Sequence, residues 1–248
     1  MNPRDKSPSS YKERTYRNRL SSPGKGVSFN VAVKETDLWV CAERDLSRET
    51  RESVLRCRHS IEEYIRVHPE FLSSFSPLRL DPLAPPVVQD MLEAAAAAKV
   101  GPMASVAGAI AQHVSEDLLR YTKEVIVENG GDIYMMCGRE VRVGVFAGKS
   151  PLSFKVALKV GPADMPVGVC TSSATVGPSV SLGRADAVCV LSSSAALADA
   201  AATAIGNMVK RDTDIQGALE RGMEIPGVRG ALVIVGKKIG LIGAIELY

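Results

Sequence analysis

The chain has 248 residues, with 30 Lys plus Arg against 28 Asp plus Glu and a net charge of +2. That length is enough for a sizeable core, and the near-balanced charge gives no case for general nucleic-acid binding. No apolar run reaches the roughly eighteen residues of a bilayer span, and the polar start MNPRDKSPSSYKERTYRNR lacks the apolar stretch of a secretory signal, so a cytoplasmic protein without a membrane partner is expected.

Aromatic residues make up only 5% of the chain, so the core must be built from Val, Leu, Ile and a great deal of Ala. Residues 1–15, rich in Ser, Pro and charge, are expected to be a disordered arm ahead of one domain spanning 16–248. Arg17 and Arg19, beside Tyr16, read either as part of that solvated arm or as groups meeting an anion or a neighbouring subunit. VSFNVAVK at 27–34 alternates apolar and polar residues and predicts a strand, with DLWVCA at 37–42 as its hairpin partner. A long helix is expected over 46–67. His59 and His68, in or after its second half, have no second ligand at metal spacing and read as surface residues. Five prolines between 69 and 86 predict a rigid connector. The next helix, 87–98, carries the alanine run 94–98, which favours helix and close approach.

GPMASVAGAIA at 101–111 opens a helix reaching about Tyr121, with Pro102 suited to its first turn. Its small residues allow two readings: tight helix packing, or a helix N-terminus whose amides seat a phosphate. His113 reads as a surface residue of this helix. After a short strand at 125–127 comes ENGGDI, 128–133. Its paired glycines permit positive φ, and Asn129 and Asp132 can either bind a ligand or cap a plain hairpin turn. Strands are expected at 133–137, 141–146, 154–159 and 167–170. The loop AGKSP around Lys149 lacks the spacing of a P-loop.

The stretch 171–207 then runs from hydroxyl residues and glycines through an apolar strand, 187–191, into a helix made almost wholly of small residues. Asp199 and Thr203 lie four apart and project from one helical face. They read either as the wall of a ligand site or as groups paired inside a packed layer. The hydroxyl-rich loop 171–175, which includes Ser173 and Thr175, can hold an anion together with the nearby Arg184. Arg184 and Asp186 can equally form a local turn network. A short helix at 212–222 and a hairpin of 229–235 with 239–246 complete the chain. Strand pairs flanking helix pairs, twice over, predict an α+β class with antiparallel sheets and hint at an internal duplication. The five cysteines include no CxxC pair and read as small buried hydrophobes, a metal or redox role being the other reading.

Three blocks recur here in a characteristic order: GPMASVAGAIA at 101–111, ENGGDIYM at 128–135, and SSATVGPSVSLGRADAVCV with AALADAAATA between 172 and 204. In these blocks the chain resembles the ApbE-like superfamily, and in particular a compact branch of it, from about Tyr16 to the C-terminus. The resemblance implies a T-fold-like architecture of duplicated antiparallel sheets with helix pairs packed on them. Better-known members are magnesium-dependent flavin transferases and FAD pyrophosphatases, which split FAD and attach FMN to a threonine of an acceptor protein. The resemblance makes Ala104, through its backbone oxygen, Asp199 and Thr203 the expected Mg²⁺ ligands. It makes Asn129, Gly130, Gly131 and Asp132 the expected lining for FAD or FMN.

The chain departs from the transferases in two places. They carry Ala-Lys-Gly where this chain has Ala104, Ser105 and Val106, and a His with an Asp-Pro-x-x-Gly loop where it has residues 173–179. Two functions therefore stand side by side. One is a Mg²⁺-dependent transferase or pyrophosphatase of flavin-like nucleotides. The other is an accessory binder of a small anionic ligand, which the resemblance connects with sulfur assimilation. Homo-oligomerisation stays open.

Overall fold

The computed structural model describes residues 26–174 and 182–248. The expectations for the arm at 1–15, for Arg17 and Arg19, and for Thr175 lie outside those residues. Eight strands form one antiparallel sheet. They are β1 (Val27–Val33), β2 (Thr36–Ala42), β3 (Val125–Asn129), β4 (Asp132–Met136), β7 (Val167–Ser172), β8 (Ala187–Ser192), β9 (Val228–Val235) and β10 (Lys238–Gly243), adjacent in that order. Between β4 and β7 the chain makes β5 (Val141–Gly144) and β6 (Ala157–Val160), which pair with β11 (Glu246–Leu247) in a second, three-stranded sheet. The large sheet and its helices bear out the α+β class with antiparallel sheets.

Side-chain alternation explains the layering. In β8, Val188 and Val190 enter one core cluster while Ala187, Cys189 and Leu191 enter another. Successive side chains of a strand point to opposite faces, so a strand apolar at every position must be covered on both. One face is covered by α1 (Ser47–Val67), α2 (Glu70–Ser73), α3 (Pro86–Ala98), α4 (Val106–Leu118), α5 (Ala195–Met208) and α6 (Ile215–Met223). The opposite face is covered by the three-stranded sheet, through Val141, Val143, Leu158 and Val160, with Val145 just beyond β5. In each half the order runs strand pair, helices, strand pair: β1 and β2 with α1 to α4 and then β3 and β4, followed by β7 and β8 with α5, α6, β9 and β10.

The alanine-rich α5 lies at the centre of the helical layer. Ser194 caps it, its hydroxyl accepting the Leu197 amide at 3.2 Å, which satisfies one of the helix's orphan donors. Its small side chains permit contacts that few other helices allow. A Cβ on Gly108 of α4 would sit 2.2 Å from the Ala195 carbonyl oxygen, and one on Gly168 of β7 would sit 2.5 Å from the Ala195 Cα. Two glycines on separate elements thus converge on the first residue of α5 and set its position.

Some local expectations change. The strand expected at 154–159 begins only at Ala157, because consecutive turns anchored on Ser150 occupy the preceding residues and Phe154 takes a φ of 58°. The last strand divides at Gly243 (φ 75°), where a Cβ would meet the Arg229 carbonyl oxygen at 2.5 Å, and its end crosses to the second sheet. His113 is not a free surface residue: it is half-buried, with Nε2 2.7 Å from an Asp90 carboxylate oxygen. Burial lowers its pKa, but the Asp90 carboxylate more than offsets this and leaves it raised. All five cysteines are buried and free. Among the described residues no single helix is long and apolar enough to cross a membrane.

Candidate functional site

A cavity of about 510 Å³ opens around the tip of the β3–β4 hairpin. The tip is a two-residue turn in which Asn129 pairs with Asp132 and both intervening glycines have positive φ, 68° at Gly130 and 108° at Gly131. That conformation strains an L side chain, and it leaves bare backbone facing the cavity. The strand pleat sends Asn129 and Asp132 to the helix side and Glu128 and Ile133 to the side of the small sheet.

The helix-side wall is a polar stripe on α5. Asp199, Thr203 and Asn207, each four residues from the last, all line the cavity. The start of α4 and the turn before it add Met103, Ala104, Val106 and Ala107. Asp199 is fixed by the α4 backbone: its Oδ2 accepts the Gly108 amide at 2.9 Å. A carboxylate at a helix N-terminus is favoured by the macrodipole, yet burial outweighs it. Desolvation pushes the Asp199 pKa up to about 7, against the Gly108 and Ala107 amides that favour the charged form. Asp132, 7% exposed, accepts the Thr171 amide at 3.2 Å. Burial, and then the negative charge of Asp199, hold its carboxyl well above the usual range, despite the Thr171 amide and the Cys170 thiol. Burial also raises the neighbouring thiols, Cys170 well above its ordinary value and Cys189 to about 11.

Of the residues singled out in the sequence, Ala104, Gly130, Gly131, Asp132, Ser173, Asp199 and Thr203 line this one cavity. Two do not. Asn129 points behind the wall, where its Nδ2 donates to the Ala107 carbonyl at 3.1 Å and ties the hairpin to α4. Arg184 is exposed and away from the lining, its backbone amide donating to the Val209 carbonyl at the end of α5. Asp186, paired with it in the sequence reading, instead accepts the Gly236 amide at 2.7 Å.

Several lining residues escaped the sequence reading. Asn207 continues the Asp199–Thr203 spacing by one more turn, a signal that was present, and its Oδ1 accepts the Leu182 amide at 2.9 Å. Glu128 belongs to the quoted hairpin motif. Leu72, Phe75 and Phe146 reach the cavity from distant segments and carried no local signal. Among the described lining residues there are three carboxylates and no Lys, Arg or His. No group of three or more His, Cys, Asp and Glu suited to a metal occurs among the described residues.

Comparison with known proteins follows the same lines. A model of the family described as AbpE bacteria matches residues 17–246. A UPF0280 protein of Methanococcus aeolicus is 40% identical over 225 residues, covering 88% of this chain and 91% of that protein. One of Methanocaldococcus jannaschii is 42% identical over 221 residues, covering 87% and 90%. Among solved structures, the flavin transferase ApbE from Vibrio cholerae has a TM-score of 0.52 at 13% identity, covering 90% of this chain and 98% of that one. The ApbE protein of Thermotoga maritima has a TM-score of 0.52 at 14% identity, covering 87% and 96%. At these identities the structural likeness is one of fold.

Proposed function

The chain belongs to the AbpE bacteria family, and from that premise we propose that it binds a flavin nucleotide, FAD or FMN, through a divalent cation. The proposal extends to a reaction: cleavage of the FAD phosphoanhydride, as a pyrophosphatase or as an FMN transferase. The observation that carries it is the donor set of the cavity, three acidic side chains with no basic one among the described lining. Buried carboxylates repel a bare anion but attract an anion that arrives with a cation. The donor set fits Mg²⁺, which takes oxygen ligands, keeps several waters and needs only one or two carboxylates alongside substrate phosphates. Asp199, the Thr203 hydroxyl and the Ala104 carbonyl would hold it.

When bound, the cation supplies charge neutralisation on the phosphate oxygens and polarises the bond to be broken. This chain's own residues do the positioning. The Gly108 amide orients Asp199. Gly130 and Gly131 let backbone approach the ligand, and the walls formed by Met103, Val106, Val143 and Phe146 exclude water. The repeated strand-pair, helix, strand-pair order is read in the same proposal as a duplicated, T-fold-like scaffold, with the protein acting in the cytoplasm.

Incubation with FAD and Mg²⁺ is expected to release FMN and AMP, and the Asp199→Ala variant to lose that activity. Absence of cleavage by the wild type, or cleavage unchanged in the variant, overturns the catalytic part. A second reading, an accessory protein that binds the nucleotide or another small anionic ligand of sulfur metabolism without turning it over, is favoured by the lack of any His or Lys among the described lining residues. It predicts Mg²⁺-dependent thermal stabilisation by the ligand with no product formed.

A further inference from the structure

We infer that the β10 edge of the large sheet is an interface for a second copy of this chain, which adds its own β10 antiparallel to the first across a twofold axis. The surface lies apart from the cavity lining, and the inference is independent of the nucleotide reading.

The two edges of the large sheet are finished differently. Among the described residues β1 and β10 each pair with a single strand, so each carries a row of backbone groups along its outer side that no strand takes up. On the face toward the small sheet, β1 presents Ser28, Asn30 and Ala32, a finish suited to water. β10 presents Ile239 and Leu241 there. They are directly opposite Ile234 and Leu232, which are fully buried between the two sheets, and directly opposed residues share a face. Yet Ile239 is 38% exposed and Leu241 43%. β11 repeats the pattern. Leu247 is opposite Leu158, which is buried on the inner face of the small sheet, so Leu247 also points inward, and it is 39% exposed. Only residues 244 and 245 separate β10 from β11, so both open edges lie on one side of the molecule. At this end the sandwich leaves three inward-facing apolar side chains in solvent.

Pattern and charge select the occupant. Ile239–Gly240–Leu241 reads apolar, glycine, apolar in either direction, so a reversed copy sets Ile239 of each chain opposite Leu241 of the other, with Gly240 at the axis. The strand starts with Lys237 and Lys238, the latter paired with Asp212 at 2.8 Å. It finishes beside Met223, whose Cε is 3.0 Å from where a Gly243 Cβ would sit. Glu224 follows Met223, Glu246 follows the end of β10 by three residues, and both are exposed. A reversed copy brings the basic start of each strand to the acidic finish of the other, whereas a parallel copy would set Lys against Lys. The area is also sufficient. A six-residue strand runs roughly 20 Å, and the edge is three layers deep, with α6 packed on Gly240 through Ile215 and Leu219 on one side and β11 on the other. That face is on the order of the 800 Å² that each partner buries in a standard interface. Since the patch meets its own copy, the assembly closes at two chains.

Sedimentation equilibrium of the wild type at micromolar concentration is expected to give a dimer. Leu241→Lys, on the open edge, is expected to weaken association about 10-fold or more. Ala32→Lys, on the same face of the opposite edge, is expected to leave it within about twofold. Both positions are exposed, and thermal melts confirm that each variant is folded. A second experiment reads the register without a charged variant. Ile239→Cys is mixed with Leu241→Cys under mild oxidation, the five native thiols being buried. Opposed Cα atoms of an antiparallel pair are about 4.5–5.5 Å apart, within disulfide reach, so the mixture is expected to cross-link faster than either variant alone. A monomeric wild type overturns the inference. So does a dimer that Leu241→Lys leaves intact, or a mixture that cross-links no faster than its components.

Discussion

The two sides of the β3–β4 tip are built on different terms. On the helix side, glycine and alanine bring backbones together until no atom can be added: an extra carbon at Gly108 would lie 2.2 Å from a carbonyl oxygen and 2.9 Å from the Asp199 Cβ. On the small-sheet side, an extra carbon at Gly144 would lie 3.6 Å from the Phe154 Cδ1, an ordinary contact. The first side holds a carboxylate against the amides of α4. The second is an apolar wall with one carboxylate fixed at its edge. The difference teaches that charge has to be held by rigid backbone, because a buried carboxylate that drifts loses the hydrogen bonds that offset its desolvation. An apolar slot needs only shape.

The sharpest way to break this comparison is Asp199→Ala. It should weaken Mg²⁺-dependent nucleotide binding about 100-fold or more, the scale on which metal sites respond to lost partners, while metal-free riboflavin binding stays within about threefold. Calorimetry with and without Mg²⁺ reads both numbers, and an equal loss in the two would erase the division between the faces. Next comes a pair of glycine substitutions. Gly108→Ala should destabilise the fold by about 3 kcal/mol through overpacking, whereas Gly144→Ala should change stability by less than about 0.5 kcal/mol. Urea denaturation midpoints would show it, and similar costs at the two sites would contradict the packing argument.

A third expectation concerns pH. Asp199 is raised from 3.8 to about 7 in the folded state, so folding favours its protonated form. Its contribution to stability is therefore present below about pH 4 and is lost as pH rises toward and through 7. Relative to Asp199→Asn, the metal-free wild type should lose melting temperature between pH 5 and 8, and Mg²⁺ should restore it at the upper end; a constant difference across that range would argue against a desolvated carboxyl. The smallest effect is expected from Arg184→Ala, which removes a side chain outside the cavity and should leave nucleotide affinity within about twofold.

Much of the site was legible because it is local. Asp199 and Thr203 are recognisable from their spacing in an otherwise apolar helix, and the Gly130–Gly131 turn from the backbone freedom it demands. Asn207 obeys the same spacing one turn further on, next to the end of the helix. Phe146 and Phe75 could not be found this way, since each reaches the cavity only when segments far apart in the chain meet. Arg184 looked like an anion partner by proximity in sequence, but the chain turns it outward where the loop meets the end of α5.

Amphipathic period and turn chemistry determined, from the sequence alone, most of the elements, the α+β class, and the residues at which backbone lies bare. These are properties of neighbours a few positions apart. Which face each residue meets was decided only by the tertiary structure. The register that pairs Asn129 with Asp132 turned one of them to α4 and the other to the cavity, and the pleat set Glu128 opposite both. The raised pKa of Asp199 likewise arises from burial against α4, and desolvation depends on the density of atoms around a group, which no stretch of sequence contains.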